Sequence, residues 1–263
     1  MTRYENKTCV VTGGAQGIGR ACAEKLAAEG GRVAIFDLES QVKALDVEAF
    51  PGEVIAIACD VSSRADVEDA FAECARRLGP VDVLVSNAGT VLARDFLKME
   101  DDEFAKLMDV NVHGTFMTGQ VAARQMVESG RGGAIVNMAS VGAFMNNALH
   151  VGYGATKGAI VSLTKGMAVA LAPQGVRVNA VAPATIETSM TENYDQDPTL
   201  LNGVKARTPM GRLGTAGEVA SAVAYLAGDD AAYVTGHTLL VDGGRTSLNY
   251  FMHDVPETPA EPK

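Results

Sequence analysis

Thr8-Cys9-Val10-Val11-Thr12-Gly13-Gly14-Ala15-Gln16-Gly17-Ile18-Gly19 is an uncharged, largely β-branched run that breaks into a glycine-rich turn and opens a helical pattern. Such a run suits a strand buried on both faces. Glycine lets the backbone turn sharply and approach a ligand closely, and the helix that follows offers free amides and the positive end of its dipole. Strand, glycine turn and helix in that order form the context a phosphate-binding loop requires, although many helices simply begin after such a turn. A second apolar run, Val33-Ala34-Ile35-Phe36, ends in Asp37. A carboxylate there can accept hydrogen bonds from both hydroxyls of an adenosine ribose; its plainer role is a helix N-cap.

The same alternation continues outward. Apolar runs at 8–12, 33–36, 54–59, 81–85, 134–138, 176–181 and 238–241 read as seven strands, and helical patterns at 17–29, 65–78, 102–128, 153–172 and 216–227 lie between them. This rhythm predicts an α/β fold in a single domain: a doubly wound (Rossmann) parallel sheet of about seven strands with helices on both faces. Ligands of such sheets sit at the carboxyl ends of the strands. A chain of 263 residues, 47% hydrophobic, can bury one core of that size.

Composition excludes several function classes. The formal net charge is -10, so no nucleic acid partner is expected, since a phosphate backbone requires clustered Lys and Arg. No apolar run reaches membrane-spanning length and the first residues are polar, so the expectation is a cytoplasmic protein with no membrane partner. Cys9, Cys22, Cys59 and Cys74 form no CxxC pair, and His113, His150, His237 and His253 share no ligand spacing. Inert core thiols and no metal are the corresponding expectations.

Tyr153-Gly154-Ala155-Thr156-Lys157 carries the chemistry, with Ser140 upstream. On a helix, residues at i and i+4 share one face, so an ammonium can be held beside a phenol. An unperturbed tyrosine has a pKa of about 10, and a nearby cation favours the phenolate. Lys157 is expected to supply that cation and to lower the tyrosine pKa.

Taken together, Thr12-Gly-x3-Gly-Ile-Gly19, Asp60-Val61, Asn87-Ala88-Gly89, Asn111 within Asn-Val-His-Gly-Thr-Phe116, Ser140, Tyr153-x3-Lys157 and Val241-Asp-Gly-Gly244 resemble the short, NAD-using branch of the short-chain dehydrogenase/reductases over nearly the whole chain. The resemblance implies an NAD-dependent enzyme acting on CH-OH groups with a catalytic tetrad of Asn111, Ser140, Tyr153 and Lys157. It further implies cofactor contacts from Gly13, Gln16, Gly17, Ile18, Gly19 and Asp37, from Asp60 and Val61 around the adenine, and from Asn87, Ala88 and Gly89 beneath the cofactor. Tyr153, Lys157, Pro183, Ile186 and Thr188 complete that set, and Asn111 positions a lysine-linked water. The plainer roles remain open: Asp60 as a turn cap, Asn87-Ala88-Gly89 as loop punctuation, Asn111 as a helix residue bonding its own backbone. The family also implies a homotetramer, a domain over 1–246 with a substrate loop at about 185–210, and an extension over 247–263 that is disordered or docked on a neighbouring subunit, with Tyr250 and Phe251 as anchors.

One departure is Pro183-Ala184, where the family usually has Pro-Gly; the turn must then avoid positive φ. Substrate choice is expected from Ala93 and Arg94, from 141–150, and from 185–209. Ser140, Asn147, His150 and Tyr153 are the expected substrate contacts, with Asn146 nearby. The acidic stretch Glu192-Asn-Tyr-Asp-Gln-Asp197 points to a neutral hydroxylated or cyclic compound: a polyol, sugar, cyclic alcohol or hydroxysteroid. Asp37 predicts NAD over NADP, with Arg20 and Lys43 as the cations within possible reach of a 2′-phosphate. The competing readings are a noncatalytic NAD-sensing protein and a SAM-dependent methyltransferase, the latter having no use for Ser140, Tyr153 and Lys157.

Overall fold

The computed structural model describes residues 2–188 and 198–249. The acidic stretch 192–197, Tyr250 and Phe251 therefore lie outside the described residues. The main sheet contains β1 Thr8–Thr12, β2 Arg32–Asp37, β3 Val54–Ala58, β4 Val83–Ser86, β5 Gly133–Met138, β6 Val176–Pro183 and, last in the chain, β9 Thr238–Val241. All pair in parallel in the order β3-β2-β1-β4-β5-β6-β9. Chain direction across the sheet reverses between β1 and β4, which creates the crevice. The fourth strand begins at Val83 rather than Val81, and just before it the Asp82 carboxylate accepts from the Thr8 amide and from Arg131.

Among the described residues there are eight α-helices: α1 Gly17–Ala28, α2 Glu39–Ala44, α3 Arg64–Leu78, α4 Asp101–Met108, α5 Gly114–Glu128, α6 Val151–Leu171, α7 Pro198–Lys205 and α8 Ala216–Ala227. Successive strand residues point to opposite faces, so Cys9 and Val11 join one core and Val10 the other. In the first core Leu26 of α1 and Val223 of α8 cover Ile35 and Val85. In the second, Phe71 of α3 stands edge-on to Phe36 at 5.1 Å between ring centroids, beside Met126 of α5. Fully burying each such side chain stabilises the fold by about 1.5–3 kcal/mol. The four thiols are buried, and burial pushes those of Cys22, Cys59 and Cys74 up to about 12, so they stay protonated packing groups. No helix among the described residues is long and apolar enough to cross a membrane.

Two local features differ from the sequence-based expectation. The continuous helix expected over 102–128 is divided by a π-helical turn at Asp109–His113. Apolar spacing runs through that turn and conceals the extra residue, which rotates Asn111 into the interior. A second, two-stranded parallel sheet joins β7 Ile186–Glu187 to β8 Gly214–Thr215. It fastens the segment after β6 to the capped start of α8, where Thr215 and Glu218 form a capping box. Ala184 does not adopt positive φ; Asn6 is the one non-glycine residue that does among those described.

Candidate active site

A cavity of about 1400 Å³ opens at the carboxyl ends of the strands. Its first wall is the glycine turn, where Gly13 and Gly17 have φ of +62° and +55°. The turn is clamped by its neighbour: Asn87 Nδ2 donates to the Thr12 and Gly13 carbonyls, each at 3.0 Å. The Asn87 and Ala88 amides donate to Thr12 Oγ1. Asn87-Ala88-Gly89 is thus a brace, not mere loop punctuation. Gln16 is the N-cap of α1 and makes no side-chain cap bond, the first turn holds no acidic residue, and Gln16, Gly17, Ile18 and Gly19 line the cavity. Its orphan amides therefore face an open, anion-favouring space, which fits a pyrophosphate.

Asp37 Oδ2 accepts from the Ala15 amide at 3.0 Å and Oδ1 from the Leu38 amide at 2.9 Å. The α2 N-cap is Leu38, one residue later, so Asp37 is not the cap. Each of its oxygens keeps a further lone pair for a ribose. Arg20 is paired with Glu24 and stacked over Phe50, and Lys43 is paired with Glu39. Neither cation reaches the cavity wall. Asp60 does cap a turn, accepting from the Ser62 amide and hydroxyl, and it also lines the cavity beside Val61.

At the other end, Ser140 follows β5, with Oγ accepting from the Gly142 amide at 3.0 Å. Tyr153 and Lys157 stand one turn apart on α6, the ammonium 5.5 Å from the phenol ring centroid. Lys157 is only 4% exposed and donates to the Met138 carbonyl at 2.7 Å. The expected lowering of the tyrosine pKa is not what the protein alone produces. Burial pushes the Tyr153 phenol above its ordinary value, the Ser140 hydroxyl opposing it. Burial also lowers Lys157 to about 8. Both groups are desolvated, and the lysine lends weaker support to the phenolate than spacing alone implies.

A buried ammonium with a single carbonyl partner destabilises the fold. The charged form is disfavoured only in the folded state, so this effect is complete below about pH 8, fades as pH rises toward the ordinary lysine value, and is absent above it. Lys157→Met is therefore expected to raise the stability of the ligand-free protein at pH 7 by about 1–2 kcal/mol while abolishing activity. The gain shrinks between about pH 8 and 10.5; thermal melts across that range check it.

Asn111 is fully buried behind the cavity wall. Its amide donates to the Thr90 carbonyl and Thr156 Oγ1, and its Oδ1 accepts from the Thr90 amide at 2.7 Å. It joins the loop after β4 to α6, and does not bond its own backbone through the side chain. Asn147 and His150 line the cavity, His150 with its ring 6.2 Å from that of Tyr153. The Asn147 Oδ1 is already engaged by the Leu149 amide. Pro183, Ile186 and Thr188 also line it, as do Met145 and Asn146. Ala93 and Arg94 do not; Arg94 is held by Glu103. Arg207 falls in the 185–209 stretch expected to set substrate choice, whereas sequence reading missed Gln41 of α2 and Arg245 in the wall, since an isolated polar residue adds no periodicity to reveal it.

The family model described as enoyl-(acyl carrier protein) reductase matches residues 13–246. The chain is 40% identical over 246 residues to an L-rhamnose 1-dehydrogenase (NAD(P)(+)) of Azotobacter vinelandii, covering 91% of this chain and 96% of that protein. It is 36% identical over 253 residues to an L-2,3-butanediol dehydrogenase of Corynebacterium glutamicum, covering 91% and 98%. The solved structure of gox2181 superposes with a TM-score of 0.88 at 36% identity, covering 94% of this chain and 98% of that one. A Rossmann sheet, a braced glycine turn and a tyrosine-lysine pair at one cavity agree with these likenesses, and the chain belongs to the short-chain dehydrogenase/reductase family.

Proposed function

We propose that the protein is an NAD-dependent dehydrogenase that interconverts a secondary alcohol and a ketone on a neutral hydroxylated or cyclic small molecule, with sugars and polyols foremost. The observation that carries this reading is the phenol of Tyr153, beside the Ser140 hydroxyl, in the same cavity as the glycine turn and Asp37. Bound NAD supplies a hydride acceptor at C4 of its nicotinamide. Ser140 orients the substrate oxygen by hydrogen bonding. Tyr153 removes the hydroxyl proton as hydride leaves the same carbon, and returns it in the reverse direction. Lys157 holds the nicotinamide ribose and shares the proton, and Asn111 fixes the water that passes it to solvent. Relatives named for a deoxysugar and a diol support the substrate class. The test is NADH formation from a panel of polyols, sugars, cyclic alcohols and hydroxysteroids. NAD binding without turnover of any of them would favour the noncatalytic sensing reading.

Asp37 is the determinant of NAD over NADP in this reading. A 2′-phosphate about 4 Å from the carboxylate meets a repulsion of roughly 4 kcal/mol per charge pair at an effective dielectric near 20. Asp37→Ser is expected to lower the ratio of kcat/KM for NAD to that for NADP by at least about tenfold. An unchanged ratio would remove Asp37 from this role. The domain is taken as 1–246, and a homotetramer is the proposed assembly. Phe116, Val127 and Val169 leave apolar surface exposed on α5 and α6, and light scattering measures the mass.

A further inference from the structure

Four glycines lie within α6, at 152, 154, 158 and 166. Glycine is the poorest helix former after proline, so each one invites the question of what a methyl group there would strike. At Gly158 and Gly166 it would strike nothing within 4 Å, and at Gly152 it would meet the flexible ends of Leu107 and Met99. Gly154 is different. A Cβ there would overlap the side-chain oxygen of Asn146 and lie 3.0 Å from the Gly142 carbonyl. Asn146 thus turns its side-chain oxygen into the space that Gly154 leaves, one residue from Tyr153, and it lines the cavity.

Among the described residues no hydrogen bond holds the Asn146 amide. Its neighbour Asn147 has its oxygen engaged by the Leu149 amide. With its oxygen turned onto α6, Asn146 keeps its two amide donors for whatever enters the cavity. Its placement comes from shape, through the missing Cβ. The Gly142 segment on which this corner closes also carries the Ser140 hydroxyl, since a Cβ at Gly142 would lie 3.4 Å from Ser140 Oγ and 3.6 Å from Tyr153 Cε1.

We propose that Gly154 and Asn146 act as one specificity device, in which the glycine seats the amide so that it bonds a second hydroxyl close to the reacting carbon of the substrate. The site then prefers a vicinal diol or a sugar over a simple secondary alcohol. This inference rests on the dehydrogenase reading given above. Asn146 is a substrate contact in it, and Gly154 is a positioning residue that acts through Asn146.

The test is a double-mutant cycle in the full chain with NAD, using butane-2,3-diol stereoisomers and butan-2-ol. The quantity read is the ratio of kcat/KM for the diol to that for the mono-alcohol. Asn146→Ala is expected to lower this ratio roughly three- to tenfold, the worth of one neutral hydrogen bond. Gly154→Ala is expected to lower it as much, and the double variant no further than either single change. An unchanged ratio in either single variant would overturn the proposal. So would a Gly154→Ala effect that persists undiminished in the Asn146→Ala background, because the Gly142 carbonyl would then be what requires the glycine. A wild-type protein that oxidises no alcohol would overturn the dehydrogenase reading, and the substrate half of the proposal with it. The seating is read separately, from crystals of Gly154→Ala: the Asn146 amide is expected to leave α6, and an amide still in place would refute it.

Discussion

Tyr153→Phe is expected to reduce NADH formation by about 10³-fold or more while leaving NAD binding within a few-fold of wild type. The substitution removes one oxygen and keeps the ring, so the edge contact with His150 and the cover over Lys157 persist. What is lost is the group that exchanges the substrate proton. Ser140 cannot replace it: the pKa of an aliphatic hydroxyl is far too high, and its Oγ is already fixed by the Gly142 amide. A burst experiment with saturating NAD and calorimetry of NAD binding separate the two effects. Turnover within tenfold of wild type would show that another group carries the proton, and the reading of the site would fall.

Gly19→Ala is expected to be nearly as damaging at the other end of the cavity. A methyl group there would overlap the Gly13 carbonyl and lie 2.5 Å from Asn87 Nδ2. Neither can retreat cheaply, because that carbonyl is the acceptor of the Asn87 amide, and Asn87 and Ala88 are held in turn by Thr12 Oγ1. The turn must open, so its amides no longer converge on one anion. NAD affinity is expected to fall by at least about 100-fold, with a stability loss of about 1–3 kcal/mol from overpacking. Calorimetry and thermal melts measure the two. Wild-type affinity in this variant would mean that the turn does not hold the pyrophosphate.

The sheet was legible because both of its signals are local. Uncharged β-branched runs such as Val33-Ala34-Ile35-Phe36 mark strands buried on two faces, and each is followed by a longer helical period. The residues of the cavity wall were legible for the same reason, since Gly13, Asp37, Ser140 and Tyr153 sit at the ends of such elements. What could not be seen depends on contacts between distant segments. The π-helical turn at Asp109–His113 preserves apolar spacing while changing where Asn111 points. The β7–β8 pair is two residues long on each side, too short for any period. The tyrosine environment was misjudged because i and i+4 spacing gives proximity and says nothing of solvent, and solvent exclusion here outweighs the opposing pull of the Ser140 hydroxyl. Asn146 and Gly154 are eight positions apart, and only the folded loop brings them together.

The bond from the Ala15 amide to Asp37 has a consequence for how this protein could change coenzymes. The carboxylate that would discriminate between the two dinucleotides is also a support for the loop that would cradle their shared phosphates. Exchanging it for a neutral or basic residue removes the discrimination and slackens the cradle together, so a single substitution is expected to yield an enzyme that is less selective and slower with both. A full reversal of preference needs a compensating acceptor for the Ala15 amide. For a lineage or an engineer, the route from one coenzyme to the other therefore passes through at least two coordinated replacements.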